Sequence, residues 1–239
     1  MKKILILVLI LVVFAGFNCG EASAMNTGFS TQPLSDEEMT SFVSNIDFSS
    51  ISVEPEKRPI RCFDVNSGEM IAIGTQSGTA KTVCVYSHDG EFKYGFSFNC
   101  DGNFCVEWAG DNINVFFVRS GVVAAVDSKG TVLDVLKVQN TVEDNSYLNN
   151  YIYSTQRTHG ETTYSIKNDL GLFNLLMSSY SELTAANTDG EEAVLYSVNS
   201  AQVTKIIIIC SLTAAALVLA IVKMKRKNGV RESRKRITT

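Results

Sequence analysis

Hydrophobic residues in the middle of the chain recur with a period of two. Phe92, Tyr94, Phe96 and Phe98 alternate with Lys93, Gly95 and Ser97, the pattern of a half-buried strand. Phe104, Val106 and Trp108 alternate with Cys105 and Glu107, and Ile113, Val115 and Phe117 with Asn112, Asn114 and Phe116. Between such runs stand Asn66-Ser67-Gly68, His88-Asp89-Gly90, Gly110-Asp111-Asn112, Ser128-Lys129-Gly130 and Thr188-Asp189-Gly190, where glycine accepts the positive φ of tight turns. From Ile60 this predicts an antiparallel, mainly β domain. Phe116-Phe117 and Val122 to Val126 are apolar on both faces, so the N-terminal helix, the C-terminal hairpins or a partner protein must cover the second face. Beyond Val138, residues 151–156 and 162–166 are expected to pair across His159-Gly160, and the runs Ser181 to Ala186 and Ala193 to Val198 across Thr188-Asp189-Gly190. The stretch Leu170 to Leu176 fits either a helical turn or a buried strand.

A period near 3.6 appears once before the strands. Ser35 with Glu38 has the spacing of a capping box, and Met39, Phe42, Val43 and Ile46 follow at helical intervals, predicting a short amphipathic helix ending near Asp47. Residues 25–33 read as a flexible leader and Pro55 to Pro59 as a connector. Two longer apolar runs lie at the ends. Lys2 and Lys3 precede Ile4 to Phe17, and Ala22-Ser23-Ala24 follows, which is the layout of an export signal cleaved before Met25. An uncleaved anchor and acylation at Cys19 are the alternatives. Ile206 to Val222 carries no charge and is followed by Lys223, Lys225, Arg226 and Lys227, predicting one transmembrane helix over 203–223.

A faint repeat links the hairpins. Val83 to Phe92 is similar to Ala124 to Val132, with Gly90 and Gly130 at matching places, and Phe63 to Met70 looks like a further copy. Over about residues 60–138 the chain resembles the blades of β-propellers of the NHL or WD-like kind. A closed propeller takes about 4 to 8 blades. The resemblance therefore implies an open meander of about three blade-like, propeller-like hairpin units, with self-association as one route to ring closure.

Charge sharpens the topology. Residues 25–202 hold 10 Lys+Arg and 23 Asp+Glu, a balance of −13, whereas residues 223–239 hold 8 and 1, a balance of +7. The acidic part repels phosphate backbones, which argues against nucleic acid as a partner. The basic end fits the cytoplasmic side of a membrane. The expected organisation is signal peptide 1–24, leader, helix and connector 25–59, extracellular β domain 60–202, transmembrane helix 203–223 and basic cytoplasmic tail 224–239. Asn-x-Ser/Thr sites do not occur in residues 25–202, which leans toward a bacterial plasma membrane.

Candidate chemistry is sparse. His88 and His159 fall in turns, with no second histidine or cysteine at metal-ligand spacing. Asn99, Asp101 and Asn103 imitate a calcium loop, yet Phe104 stands where such a loop needs glycine. Glu37-Glu38 and Glu191-Glu192 read as solvated charge. Cys62, Cys84, Cys100 and Cys105 form an even set on the oxidising side, so disulfides and simple packing are both open readings. Strand alternation disfavours a Cys100–Cys105 bond. No catalytic, cofactor or metal residues are assigned, and no cofactor is expected. The sequence reads as a single-pass, membrane-anchored extracellular binding, sensing or envelope-assembly module. Its expected partners are membrane lipid, through one helix, and an extracellular or envelope protein. The alternative is an exported hydrolase-like enzyme with a dispersed active site.

Overall fold

The computed structural model describes residues 25–168, 174 and 179–237. The expected signal peptide and most of Leu170 to Leu176 lie outside them. Among the described residues the period-two segments form three antiparallel sheets, each built on four strands joined in sequence. The first holds β3 (Ile60–Val65), β4 (Ile71–Ser77), β5 (Ala80–Tyr86) and β6 (Phe92–Asn99). The second holds β7 (Phe104–Ala109), β8 (Asn112–Phe117), β9 (Val122–Val126) and β10 (Val132–Val138). The third holds β11 (Gln156–His159), β12 (Thr162–Lys167), β13 (Glu182–Ala186) and β14 (Glu192–Ser197). They do not close into a barrel.

The first sheet is the middle layer, and its alternation feeds two cores. Val83, Val85, Phe96 and Phe98 pack with the second sheet, while Ile71, Ile73, Cys84 and Tyr86 pack with Tyr164, Leu183 and Tyr196 of the third. A strand buried on both faces loses the polar half of its alternation, which is why β5 and β9 read as nearly continuous apolar runs.

The segment expected to be a flexible leader is instead ordered. Phe29 is buried, its ring 4.7 Å from that of Phe116 and 5.1 Å from Tyr147. Thr31–Pro33 is a strand, β1, that pairs with β10. Ser49–Ile51 is a second added strand, β2, on β6. These two strands cover the outer edges of two sheets, whose unpaired N–H and C=O groups would otherwise face solvent. Between them lies helix α1 (Asp36–Asn45), with the expected Ser35–Glu38 capping box. Phe42 of α1 stands edge-on to Phe117, 5.1 Å away. The second apolar face is thus covered by Phe29 together with a helix the strand pattern hid, α2 (Val142–Tyr147). Thr141 and Asp144 cap α2 reciprocally, a sequence signal present but overlooked. Residues 151–155 are not strand: α2 runs into one turn of π-helix, Leu148–Ile152.

The faint repeat is a real recurrence of one turn. In Ser87–Glu91 and Asp127–Thr131 the first residue's N–H donates to the fifth residue's carbonyl, and the glycine N–H to the first. Asn187–Glu191, between β13 and β14, does the same and is the third copy in phase. Asn66–Met70 has the same bonds but joins first and second strands, and Glu69, not Gly68, takes the positive φ of 58°.

The polypeptide leaves β14 directly into a long helix, α3 (Asn199–Ile237), so the basic tail continues as helix. Among the described residues no helix is long and apolar enough to cross a membrane. The uncharged run of α3, Ile206 to Val222, spans about 25 Å at ~1.5 Å per residue, short of a ~30 Å hydrocarbon core.

Two predictions follow from this frame. Glu69→Gly removes the left-handed strain and raises unfolding free energy by about 1 kcal/mol, read as a higher denaturant midpoint at unchanged slope. Asp144 accepts from the Ser30 N–H (2.6 Å) and the Thr141 N–H (2.8 Å). Burial acts to raise its pKa, but these bonds outweigh it and hold the carboxyl below its usual 3.8. Its stabilisation is complete above 3.8 and lost as pH falls through the lower folded value. Relative to Asp144→Asn, the native chain therefore loses its stability advantage in acid unfolding only below that range.

Candidate binding site at the junction of the three sheets

The first strands of the three sheets, β3, β7 and β11, face one another at the centre of the fold. Strand β7 is an inner edge, so alternate N–H groups point away from β8 and need other acceptors. Asp64, on β3, supplies one: Trp108 N–H donates to its Oδ2 at 2.7 Å. The other oxygen, Oδ1, accepts from Arg157 Nε of β11, also at 2.7 Å. One carboxylate, 1% exposed, thereby touches all three sheets. Burial is the main influence on it and pushes its pKa up, against the pull of the Trp108 N–H and Arg157.

Arg157 is equally enclosed, at 6% exposure. Its Nη1 donates to the carbonyls of Ser154 (3.3 Å) and Gln156 (3.0 Å), while Nη2 has no partner. Tyr151 of the π-helical turn lies over the guanidinium at 4.4 Å, with Phe63 at 5.4 Å. Such cation–π contacts, shielded from water, hold the cation in place. Tyr151 in turn stacks on Tyr147 at 5.2 Å.

A second polar cluster adjoins this one. Glu107 of β7 accepts from Thr27 Oγ1 (2.8 Å), Gly28 N–H (3.3 Å) and Asn114 Nδ2 (3.5 Å), and from the Tyr147 hydroxyl. Burial first, and that bond second, push the Tyr147 hydroxyl's pKa up. A Cβ on Gly28 would sit 2.2 Å from the Tyr147 ring, so only glycine lets the N-terminal segment cross there. Trp108 Nε1 and Asn114 Oδ1 are also buried without partners.

The centre opens to a cavity of about 320 Å³ walled by Asn150, Tyr151, Ser154, Arg157, Thr158 and His159, with Val65 and Gln156. A smaller one, about 220 Å³, is lined by both Cys62 and Cys105. A third, about 780 Å³, is an open groove between α1 and the ends of β6, β8 and β9.

Of the residues singled out in sequence, His159 reaches the 320 Å³ cavity, while His88 is exposed on a turn. Asn99, Asp101 and Asn103 do not converge: Asp101 pairs with Arg119 at 3.7 Å and Asn103 accepts from Arg61 at 3.1 Å. Among the described residues no group of acids, histidines and cysteines has metal-binding geometry. The four cysteines are free thiols. Cys62 and Cys105 belong to the core between the first and second sheets and Cys84 to the other core. Burial pushes Cys84 and Cys105 up to about 12 and Cys62 well above its usual value, its neighbour Cys105 adding to that rise. Cys100 is half-buried beside the large groove. Lys223 is exposed on α3, and Lys225, Arg226 and Lys227 follow along the same helix.

Asp64, Glu107, Tyr147, Tyr151 and Arg157 carry this centre, and none was marked in sequence as functional. Asp64, Glu107 and Arg157 each sit alone in a strand, while Tyr147 and Tyr151 share one helical segment; they meet only because three strands far apart in sequence converge. No known protein family, curated protein or solved structure matches this chain.

Asp64→Asn keeps an acceptor for Trp108 but strips Arg157 of its counter-charge. The expected loss is about 3–5 kcal/mol of stability, the cost of an unpaired buried charge. Adding Arg157→Met to Asp64→Asn recovers most of it in denaturation followed by Trp108 fluorescence.

Proposed function

We propose that this protein is a membrane-tethered, extracytoplasmic binding module: three β-sheets present a central recognition site, α3 anchors them, and the C-terminus is cytoplasmic. The observation that carries the anchor is the exposure of α3. Ile207, Ile209, Leu212, Leu217 and Leu219 are each more than half exposed, and apolar surface left in water costs about 25 cal/mol per Å². A helix apolar on all sides suits lipid, not an aqueous face. The uncharged run is short for a bilayer. Val203 and Thr204 lengthen it, and Lys223 extends it further by snorkelling its amine to the headgroups. The shift from −13 to +7 across this run supports an orientation with the sheets outside, in a bacterial plasma membrane. The hairpins work as an open, propeller-like meander of three units.

Binding, as opposed to turnover, is favoured by the state of the central groups. Asp64 is engaged by Trp108 and Arg157, and Glu107 by four donors. Both carboxylates are thus occupied by donors from their own chain. A partner protein in the envelope is the expected consequence of tethering the module to the bilayer.

Alkaline carbonate extraction tests the anchor. The full chain stays in the membrane pellet, and a chain ending at Ser197 is released. Release of both in equal measure refutes the tether. Protease added to intact cells should degrade the β domain while sparing a cytoplasmic control.

A further inference from the structure

The 320 Å³ cavity beside Arg157 bears on what the module binds. Of the five N–H donors of this guanidinium, Nε is taken by Asp64 and the two on Nη1 serve the Ser154 and Gln156 carbonyls, leaving both on Nη2 without an acceptor. A buried donor left unpaired costs about 1–3 kcal/mol, more when the group is charged. It persists in folded proteins mainly where a ligand or water completes it. The cavity wall contains Arg157 and His159 and no acidic residue. Its remaining polar groups are amides and hydroxyls from Asn150, Ser154, Gln156 and Thr158. Tyr151, 39% exposed, covers the guanidinium from one turn of π-helix, a conformation found frequently at functional sites.

We infer that this cavity is a binding site for a small organic carboxylate, whose acid group accepts from Arg157 Nη2 while Tyr151 packs on its apolar part. With Nε and Nη1 engaged, a carboxylate oxygen accepts a single charge-assisted bond from Nη2. A single negative charge suits the site better than the double charge of phosphate, because Asp64 already balances Arg157. Nη2 is closed to solvent, so entry of the acid requires a side chain of the cavity wall to move. The inference deepens the binding reading proposed above but not its membrane part: the site's residues all lie within 64–159, whatever anchors the chain.

The test is a titration of the full chain in detergent micelles with benzoate, benzamide and inorganic phosphate. Heat of binding and the fluorescence of Trp108, the one tryptophan, are both read. Benzoate should saturate, with benzamide and phosphate each at least tenfold weaker. Arg157→Lys keeps a charge near Asp64 but has no Nη2, and should weaken benzoate at least tenfold. Thr158→Glu, an exposed rim substitution that leaves the core untouched, should do the same by repulsion and serves if the lysine variant does not fold. Tyr151→Ala should change the Trp108 response and affinity together. Absence of saturable benzoate binding overturns the inference. So does phosphate binding tighter than benzoate, or benzoate affinity unchanged in Thr158→Glu. Loss of carbonate-resistant anchoring with benzoate binding intact removes the tether alone.

Discussion

The Asp64 carboxylate is the contact on which the arrangement of the sheets depends. It sits on the first sheet, accepts a backbone N–H from the inner edge of the second, and pairs with an arginine of the third. An inner edge strand facing protein cannot leave its N–H groups bare. A carboxylate is a fitting cap because it offers several lone pairs and can hold an arginine at the same time. Charge is thereby brought into the centre of a fold whose two cores are otherwise aliphatic and aromatic. A buried pair of this kind does little for net stability compared with apolar packing, but its two bonds tie the first sheet to a fixed point on each of the other two.

Around that centre the sheets are unequal. The first is buried on both faces; the second is covered on its far face by Phe29 and α2, and on its outer edge by β1. A strap of chain from Met25 to Ile51 does this work for two sheets. Its anchoring is polar at both ends of α2: Asp144 holds Ser30, and Tyr147 and Thr27 meet on Glu107. The strap therefore depends on α2, and the π-helical turn that follows depends on the strap. This chain of contacts places Tyr151 over Arg157, linking the covering of an apolar face to the geometry of the central cavity.

The cavities divide by chemistry. The broad groove beside α1 mixes Glu37, Glu38 and Asp101 with Arg119 and Lys137, so its charges largely cancel one another. The Arg157 cavity is less than half as large, yet no acidic residue lines it and Arg157 beside it keeps an unanswered donor. Specificity in a small site comes from a few placed polar groups within apolar walls, which favours the smaller cavity as the place of recognition.

The sequence by itself determined what depends on near neighbours. Period-two alternation located the strands β6, β7 and β8, and the Ser35–Glu38 spacing located α1, because each signal lies within one element. The turn at Gly90 and Gly130 was legible as a repeat for the same reason. The opposed charge of the two ends and the apolar run before the basic residues were equally plain. Tertiary structure decided the rest. Residues 25–33 look featureless because β1 gains its hydrogen bonds from β10, over a hundred positions away. Alpha-helix α2 carried its own Thr141–Asp144 cap but is too short for a periodic stripe to stand out. Asp64, Glu107 and Arg157 look like ordinary surface charges in their own segments. A charge becomes structural only when its partners arrive, and these partners come from three sheets, at separations of 44 and 93 residues for the two bonds of Asp64. No local pattern encodes such a meeting, since burial and pairing are properties of the packed chain.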